Sequence, residues 1–312
     1  MINCYNLRRS YVLRFGGFMV LLENEFLKIQ ITLDGGSLTS IYDKKREKEL
    51  LYQKDPRSWQ GQDIVIFPFV ARLKNGVYKV DGKEYSLKNH GIIRYSKLNV
   101  WESSETKAIL YLDSTSESLA IYPYNFHFEV KYELFDNKLS ISYKIVNTDD
   151  KKIFYEFGGH PALKVDGVEN EFGFEIKNTI LEFPEDINTN RYFLDDSGSY
   201  IVNKTMVQVP SELVITKKLI EDAKTIILDA SKIDECALKT KGYRYYFDMK
   251  DAQVLALWTS PGFGDYFCVE PWWGIPDIIN PNPELRDKPL IHSLLPKESE
   301  EKGYSITISW DE

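Results

Sequence analysis

Apolar and polar residues alternate with a period of two along much of this chain. Residues 126–134 place aromatic and aliphatic side chains at every second position, and residues 139–145 repeat the pattern after the turn Asp136-Asn137-Lys138. Such alternation is typical of a β-strand that buries one face and exposes the other. The two segments therefore predict a long antiparallel hairpin.

The same pattern predicts further strands and very little helix. The pair Asp81-Gly82 suits the positive φ angles of a type I′ hairpin turn. Only residues 211–222 and 277–285 resemble short helices, and two prolines weaken the second prediction. Strands are predicted at residues 26–32, 108–112, 153–157, 172–176, 254–258, 266–270 and 304–310. The predicted fold class is all-β, a large antiparallel β-sandwich.

The chain shows no internal repeat, no Gly/Ser linker and no shift in composition that would mark a domain boundary. We therefore predict a single domain over residues 19–312. Residues 1–18 contain three arginines and lack alternation, so we interpret them as an N-terminal extension. We expect this extension to contribute little to the core.

Charge and composition narrow the class of protein. The 312 residues include 39 Lys and Arg against 47 Asp and Glu, a net charge of -8, and no long basic run, which argues against nucleic acid or an anionic membrane as a partner. The chain has no apolar stretch of about 18 residues and no signal-peptide core. We expect a cytoplasmic enzyme or binding protein, and the sequence indicates no oligomeric state.

Motifs for metals and cofactors are missing from the sequence. Cys4, Cys236 and Cys268 are scattered and form no CxxC pair, so we expect reduced cysteines and no zinc knuckle. The chain has no HExxH, GxGxxG, GxxxxGK or GxSxG pattern. We therefore expect no metal, no cofactor and no nucleophilic hydrolysis.

Two of the four histidines stand beside glycine. His90 precedes Gly91, and His160 follows Gly158-Gly159. Glycine at a strand end permits a sharp bend or the close approach of a ligand. Each histidine is thus a candidate functional group, and the alternative is a structural histidine beside a tight turn.

The segment Glu270-Pro271-Trp272-Trp273 is the second candidate for chemistry. We expect the strand to end at Pro271, which leaves a carboxylate at the strand end beside two tryptophans. A sugar stacks its C–H face on an indole ring while its hydroxyls bind charged groups, so Trp273 is a candidate substrate-binding residue. The alternative is a surface glutamate followed by two packing tryptophans.

Four motifs in order resemble the aldose 1-epimerases of the galactose mutarotase superfamily, and the resemblance runs from about Val20 to the C-terminus. The motifs are Phe67-Pro68-Phe69-Val70-Ala71-Arg72, then Val80-Asp81-Gly82-Lys83-Glu84-Tyr85-Ser86-Leu87 followed by His90-Gly91, then Gly159-His160-Pro161, and Val269-Glu270-Pro271-Trp272. The resemblance implies the galactose mutarotase-like supersandwich. It also implies an isomerase that interconverts the α and β anomers of a hexose without a cofactor.

The resemblance also implies roles for individual residues. Glu270 would be the general base and His160 the general acid, Arg72 and His90 would hold the substrate, and Asp222 would be a further substrate-binding aspartate. Opening a hemiacetal requires removal of the C1 hydroxyl proton and donation of a proton to the ring oxygen. We expect the base and the acid on opposite sides of the sugar, with His160 either protonated before the ring opens or relaying a proton to the ring oxygen.

Two alternatives stay open. The pattern His90-Gly91-x-x-Arg94 resembles the hexose-6-phosphate 1-epimerase branch of the same superfamily, in which Arg94 would contact phosphate rather than form a surface ion pair. The aromatic content of 14% also suits a carbohydrate-binding protein without catalytic activity.

Overall fold

A computed structural model describes residues 11–14 and 17–310 of the chain. Its strands, in chain order, are β1 Tyr11–Arg14, β2 Gly17–Glu23, β3 Leu27–Thr32, β4 Leu38–Asp43, β5 Lys48–Glu49, β6 Val65–Ile66, β7 Val77–Val80, β8 Lys83–Ser86, β9 Asn99–Ser103, β10 Lys107–Asp113, β11 Phe126–Phe135, β12 Lys138–Asn147, β13 Ile153–Tyr155, β14 Phe157–Gly159, β15 Ala162–Lys164, β16 Gly167–Asn170, β17 Gly173–Ile176, β18 Ile180–Glu182, β19 Ile187–Leu194, β20 Ile201–Val209, β21 Glu212–Val214, β22 Ile226–Asp229, β23 Glu235–Thr240, β24 Tyr243–Asp248, β25 Val254–Trp258, β26 Tyr266–Trp273, β27 His292–Leu294 and β28 Ser299–Ser309. The helices are α1 Ser116–Ile121 and α2 Lys217–Ala223, with single 3-10 turns at Lys74–Gly76, Ile93–Tyr95 and Leu285–Asp287.

The fold is all-β, as predicted, and is built on two large antiparallel sheets. In the described part of the chain, one sheet has the strand order β21-β18-β23-β24-β28-β12-β11-β10-β9. The other has the order β20-β19-β22-β25-β26-β14-β6, with β15 also paired to β26. The predicted hairpin is confirmed: β11 and β12 pair along their whole length and alternate between buried and partly exposed residues.

The main apolar core lies between these two sheets. Strand β26 is buried along its entire length because both of its faces are covered. Val269 and Trp273 belong to the main core, together with Leu139 and Ile306 of the nine-stranded sheet. Trp272 points to the opposite face and belongs to a separate apolar cluster. Successive residues of β26 therefore point alternately into the main core and toward the opposite face of the sheet.

A five-stranded antiparallel sheet runs in the order β1-β2-β3-β4-β5. Within the proposed extension, β1 pairs with β2 as an edge strand, so part of that segment extends this sheet. Residues 1–10, 15 and 16 lie outside the described residues. That the extension contributes little to the core stays a prediction.

Two local predictions were wrong. Strand β26 does not end at Pro271 but continues to Trp273. The ladder on one side of β26 is interrupted at Pro271, and a proline is tolerated in a strand where ladder hydrogen bonds are missing. Residues 277–284 form no helix, as their two prolines disfavour one, and Leu285 only begins the short 3-10 turn Leu285–Asp287. The predicted helix 211–222 is shorter, since its first part forms β21 and only α2 is helical.

The two α-helices are short. They contain six and seven residues, so no helix in the described part of the chain has the length and apolar character needed to cross a membrane.

Candidate active site

A pocket of about 280 Å³ lies on the face of the eight-stranded sheet that points away from the main core. Four predicted site residues, which are remote in sequence, line it together: Arg72, His90, His160 and Glu270. The other lining residues are Trp59, Ile64, Ala71, Asn89, Arg94, Leu194, Gly198, Ser199, Thr225, Ile227, Trp258, Trp272 and Pro276. The volume lies near the lower end of the range for small-molecule sites, which suits a monosaccharide.

The register of β26 explains why His160 and Glu270 meet. Strands β14 and β15 both pair with β26 and are separated only by His160 and Pro161. The flanking pairs are Gly158↔Trp272 and Ala162↔Cys268. His160 and Glu270 stand halfway between these pairs, so they are cross-strand neighbours, whose Cβ atoms are typically about 5 Å apart. The resulting distance is 3.3 Å between His160 Nε2 and Glu270 Oε2.

Glycine is required beside His160 because the backbone passes close to other groups. A Cβ at Gly159 would stand 2.5 Å from the Tyr304 hydroxyl and 2.7 Å from the Tyr143 hydroxyl. A Cβ at Gly158 would stand 2.8 Å from a backbone carbonyl oxygen of β26. The glycine pair seen in the sequence therefore allows the strand to carry His160 close to β26.

Burial sets the protonation of the His160–Glu270 pair. Both side chains are almost completely buried, at 8% and 1% exposure. Burial lowers the pKa of His160 to about 3 and raises the pKa of Glu270 well above its ordinary value. Burial therefore favours a neutral His160 and a protonated Glu270 over the corresponding ion pair. Of the two expectations for His160, a proton relay fits this preference, whereas a protonated His160 beside an ionised Glu270 does not.

The neighbouring histidine has a defined tautomer. The Ala71 backbone N–H donates a hydrogen bond to the ring nitrogen Nδ1 of His90 at 3.2 Å. The backbone N–H of His90 donates to the Ala71 carbonyl at 2.9 Å. Burial, the neighbouring His160 and two arginines together lower the pKa of His90 well below its usual value. A neutral ring that accepts at Nδ1 carries its proton on Nε2. His90 therefore contributes an N–H donor to the site.

A buried aspartate supports the backbone of His160. Asp63 accepts hydrogen bonds from the backbone N–H groups of Leu38, Ile64 and His160. Burial nevertheless raises the pKa of Asp63 to about 6, because these hydrogen bonds offset only part of the desolvation of the carboxylate. His160 is thus anchored through its main chain as well as through the sheet.

The segment that carries Arg72 is held on both sides by buried carboxyl groups. Glu156 accepts a hydrogen bond from the Val70 N–H at 3.0 Å. Asp277 accepts one from the Lys74 N–H at 2.7 Å. Arg72 itself is exposed at the rim of the pocket, so its position depends on these anchors.

A buried lysine joins the two anchoring carboxyl groups. Lys288 Nζ lies 2.7 Å from Glu156 Oε1 and 3.8 Å from Asp277 Oδ1, and it also donates to the Ile275 carbonyl. Glu156 is fully buried and Lys288 is 5% exposed. Burial raises the pKa of Glu156, although the lysine opposes the shift. The loop after β26 and the Arg72 segment therefore share one buried ion pair.

Aromatic rings enclose His160. Trp59 stacks on its imidazole with 4.9 Å between ring centroids, and Trp258 meets it edge-on at 5.6 Å. Trp272 also lines the pocket, whereas Trp273 does not. Trp273 instead stacks on Phe157 in the main core, because adjacent residues of a strand point to opposite faces.

The structure does not bring Asp222 to the pocket either. Asp222 lies on α2 with an exposed side chain that pairs with Lys218 at 2.9 Å. No aspartate is among the lining residues within 11–14 and 17–310. The sequence interpretation also missed Trp59 and Trp258, for which the chain offers no local signal. Trp272 could have been found, since it stands two positions after Glu270 and shares its face.

One set of side chains has the proximity of metal ligands. His160, Cys268 and Glu270 each place one possible ligand atom within 4.8 Å of the others. Cys236 and Cys268 are free thiols, and Cys4 lies outside the described residues. Burial raises the pKa of Cys268 well above its ordinary value, which disfavours the thiolate that binds metals.

A large β-sandwich with a monosaccharide-sized pocket, a buried histidine–carboxyl pair and aromatic walls is suited to a protein that binds a small polyhydroxylated ligand. Comparison with known proteins gives the family. The model of the aldose 1-epimerase family matches residues 19–289, and the chain belongs to that family. Membership supports an enzyme of the isomerase class.

Relatives agree with this assignment. The chromosomal Protein LacX of Lactococcus lactis subsp. lactis is 29% identical over 306 residues, which cover 92% of this chain and 98% of LacX. A galactose mutarotase related enzyme from Lactobacillus acidophilus has a TM-score of 0.86 at 26% identity, covering 93% of this chain and 97% of that one. A galactose mutarotase-like protein from Lactobacillus casei shares the fold, with a TM-score of 0.85 at 23% identity and coverages of 93% and 100%.

Proposed function

We propose that this protein is an aldose 1-epimerase that interconverts the α and β anomers of a sugar by general acid–base catalysis. The observation that carries the proposal is the buried His160–Glu270 pair, 3.3 Å apart, at the wall of a monosaccharide-sized pocket. Within the described residues, Glu270 Oε2 has no hydrogen-bond partner, which leaves it available to a sugar hydroxyl.

The short distance between the pair changes the expected geometry. A pyranose ring does not fit between two groups 3.3 Å apart, so they do not flank the sugar from opposite sides. The two atoms that exchange protons, the C1 hydroxyl oxygen and the ring oxygen, are bonded to the same carbon. We infer that His160 and Glu270 approach this carbon from one side, each within hydrogen-bond reach of one oxygen.

One proton shared by the pair is enough for a complete cycle. With the proton on His160, Glu270 removes the C1 hydroxyl proton while His160 protonates the ring oxygen, and the ring opens to the aldehyde. The pair then holds its proton on Glu270, which is the distribution that burial favours. Rotation about the C1–C2 bond followed by the reverse transfers gives the other anomer and restores the pair.

The other polar residues of the pocket position the sugar. His90 presents an N–H donor, and Arg72 presents a guanidinium at the rim. Trp59, Trp258 and Trp272 provide apolar surface for the C–H face of the ring. Their placement fits a ligand with one apolar face and several hydroxyls.

Polarimetry of freshly dissolved anomers tests the proposal. We expect the protein to accelerate relaxation of at least one aldose, and Glu270→Gln to remove most of the acceleration. Glu212→Gln is the matched control, because Glu212 is an exposed strand residue outside the pocket. Sugar binding measured by calorimetry without any acceleration would instead favour a non-catalytic carbohydrate-binding protein.

A further inference from the structure

Trp272 carries a buried N–H group without an acceptor. The residue is only 3% exposed, and among residues 11–14 and 17–310 its Nε1 has no hydrogen-bond partner. A buried indole N–H usually finds an acceptor, because an unpaired polar group in the interior costs free energy. Since Trp272 also lines the pocket, the wall of the pocket contains an unused hydrogen-bond donor.

An unused acceptor lies on the same face of the same strand. Glu270 stands two positions before Trp272 on β26, and residues two apart in a strand share a face. Both side chains line the pocket. Glu270 Oε2 is buried and, within the described residues, has no hydrogen-bond partner. The free donor and the free acceptor are therefore neighbours.

The sheet fixes the position of the indole. Gly158 is the partner of Trp272 across the β14–β26 ladder, and a Cβ at Gly158 would stand 2.8 Å from Trp272 Cδ1. Because Cδ1 is bonded to Nε1, the edge of the ring that carries the N–H packs over this glycine. The ring also belongs to an apolar cluster with Ile66 and Val254 of the flanking strands. Its N–H is thus held by rigid elements rather than by a loop.

The indole already acts on the carboxyl group. Burial raises the pKa of Glu270, and the side chain of Trp272 opposes the rise, because a hydrogen-bond donor favours the charged form. The opposite residue on β25, Ala256, is apolar. The other titratable or charged groups around Glu270 are His160 at 3.3 Å, Cys268, and the pocket residues His90, Arg72 and Arg94. His160 exchanges the proton, and burial keeps the Cys268 thiol protonated.

We propose that Trp272 is a positioning residue whose indole N–H donates a hydrogen bond to Glu270 when this carboxyl is ionised, and so stabilises the form that removes the C1 hydroxyl proton. The inference rests on the proposed epimerase activity and adds a residue to its machinery. A hydrogen bond to a charged acceptor is stronger than one to a neutral acceptor. The contact therefore strengthens when Glu270 ionises and weakens when it is protonated.

Trp272→Phe tests the inference, since it keeps an aromatic ring in the wall but removes the donor. We expect kcat to fall by about three- to tenfold with little change in KM, because the hydrogen bond acts on the carboxylate and not on the bound sugar. The alkaline limb of the kcat profile, where the His160–Glu270 pair loses its proton, should move upward by about one pH unit. A merely structural loss would lower kcat without moving this limb.

Two further proteins make the test specific. Benzothienylalanine at position 272 replaces the N–H by sulfur and keeps the shape of the indole, so it should reproduce both effects even if Trp272→Phe disturbs folding. Trp101→Phe is the matched control, because Trp101 is an exposed residue of β9 outside the pocket. An unmoved alkaline limb in the benzothienylalanine protein would overturn the inference. So would an equal loss of kcat from Trp272→Phe in the wild type and in Glu270→Gln.

Infrared spectroscopy separates this inference from the proposed function. Difference spectra against the matching Glu270→Gln proteins follow the protonated Glu270 carboxyl through a pH titration without any sugar. If no sugar relaxes faster than in buffer, the epimerase proposal fails. A titration midpoint about one pH unit higher in Trp272→Phe than in the wild type would still support the contact between Trp272 and Glu270. Equal midpoints reject it.

Discussion

Replacing Lys288 by methionine should destabilise the protein in a manner that depends on pH. The substitution leaves the Glu156 carboxyl fully buried without its partner, which lies 2.7 Å away in the native structure. The folded protein then accommodates this group most easily by protonating it. The pKa of Glu156, already raised by burial, should rise further when Lys288 is removed.

The size of the effect follows from proton linkage. An unfolded glutamate has a pKa of about 4.3, and keeping it protonated above that value costs about 1.4 kcal/mol for each pH unit. The cost is therefore limited to about 1 kcal/mol at pH 5 and about 4 kcal/mol at pH 7.5. The second figure agrees with the roughly 3–5 kcal/mol typical of breaking a buried ion pair. Because the folded state binds the extra proton, the loss grows as the pH rises.

Urea unfolding at the two pH values measures this difference. The double variant Glu156→Gln with Lys288→Met removes the buried Glu156 charge and keeps an acceptor for the Val70 N–H, so it should recover part of the stability and reduce the pH dependence, of which Asp277 retains a share. A loss below about 1 kcal/mol at pH 7.5, or an equal loss at both values, would show that the pair is not the buried, desolvated contact described above.

Three further predictions concern the site. Glu270→Gln should lower kcat by about 10²-fold or more with little change in KM. Combining it with His160→Asn should reduce kcat by less than the product of the two single losses, because the pair acts as one unit. A Glu270→Gln kcat above about half the wild-type value would contradict the assignment of Glu270 as the base. Since the pKa of His160 is about 3, its imidazole should stay neutral between about pH 7 and pH 5, and an NMR titration of this ring with a midpoint near 6.5 would show that the histidine titrates normally. Gly159→Ala should lower kcat by about 10²-fold, because a Cβ 2.5 Å from the Tyr304 hydroxyl and 2.7 Å from the Tyr143 hydroxyl forces the backbone next to His160 to move. Wild-type kcat in this variant would exclude the steric requirement.

The period-two alternation of apolar and polar residues predicted the strands of the large sheets. The alternation over 126–134 and 139–145 survives as β11 and β12 because each residue faces either the core or solvent, and the Asp81-Gly82 turn has the positive φ angles that its residues favour. The predicted end of the strand at Pro271 was wrong because β26 tolerates a proline where its ladder is interrupted between β14 and β15. A single sequence does not show this interruption.

The site was predictable only where motif and topology agree. Arg72, His90, His160 and Glu270 converge as their motifs imply. Trp273 was assigned to the wrong face, although the period of a strand already places it opposite to Glu270. The protonation of His160 and Glu270 depends on desolvation, which is a property of the folded environment rather than of residue type.

The interruption of the ladder beside β26 has a consequence for how this architecture can diversify. Glu270 lies on β26, whose other edge pairs with β25, and His160 lies in the two-residue link between β14 and β15, both of which pair with β26 in one common register. Arg72, Arg94 and the rim come from connecting segments. Insertions or substitutions in those segments can reshape the rim of the pocket without altering the distance between His160 and Glu270. The rim and the His160–Glu270 pair are thus free to evolve on separate parts of the backbone.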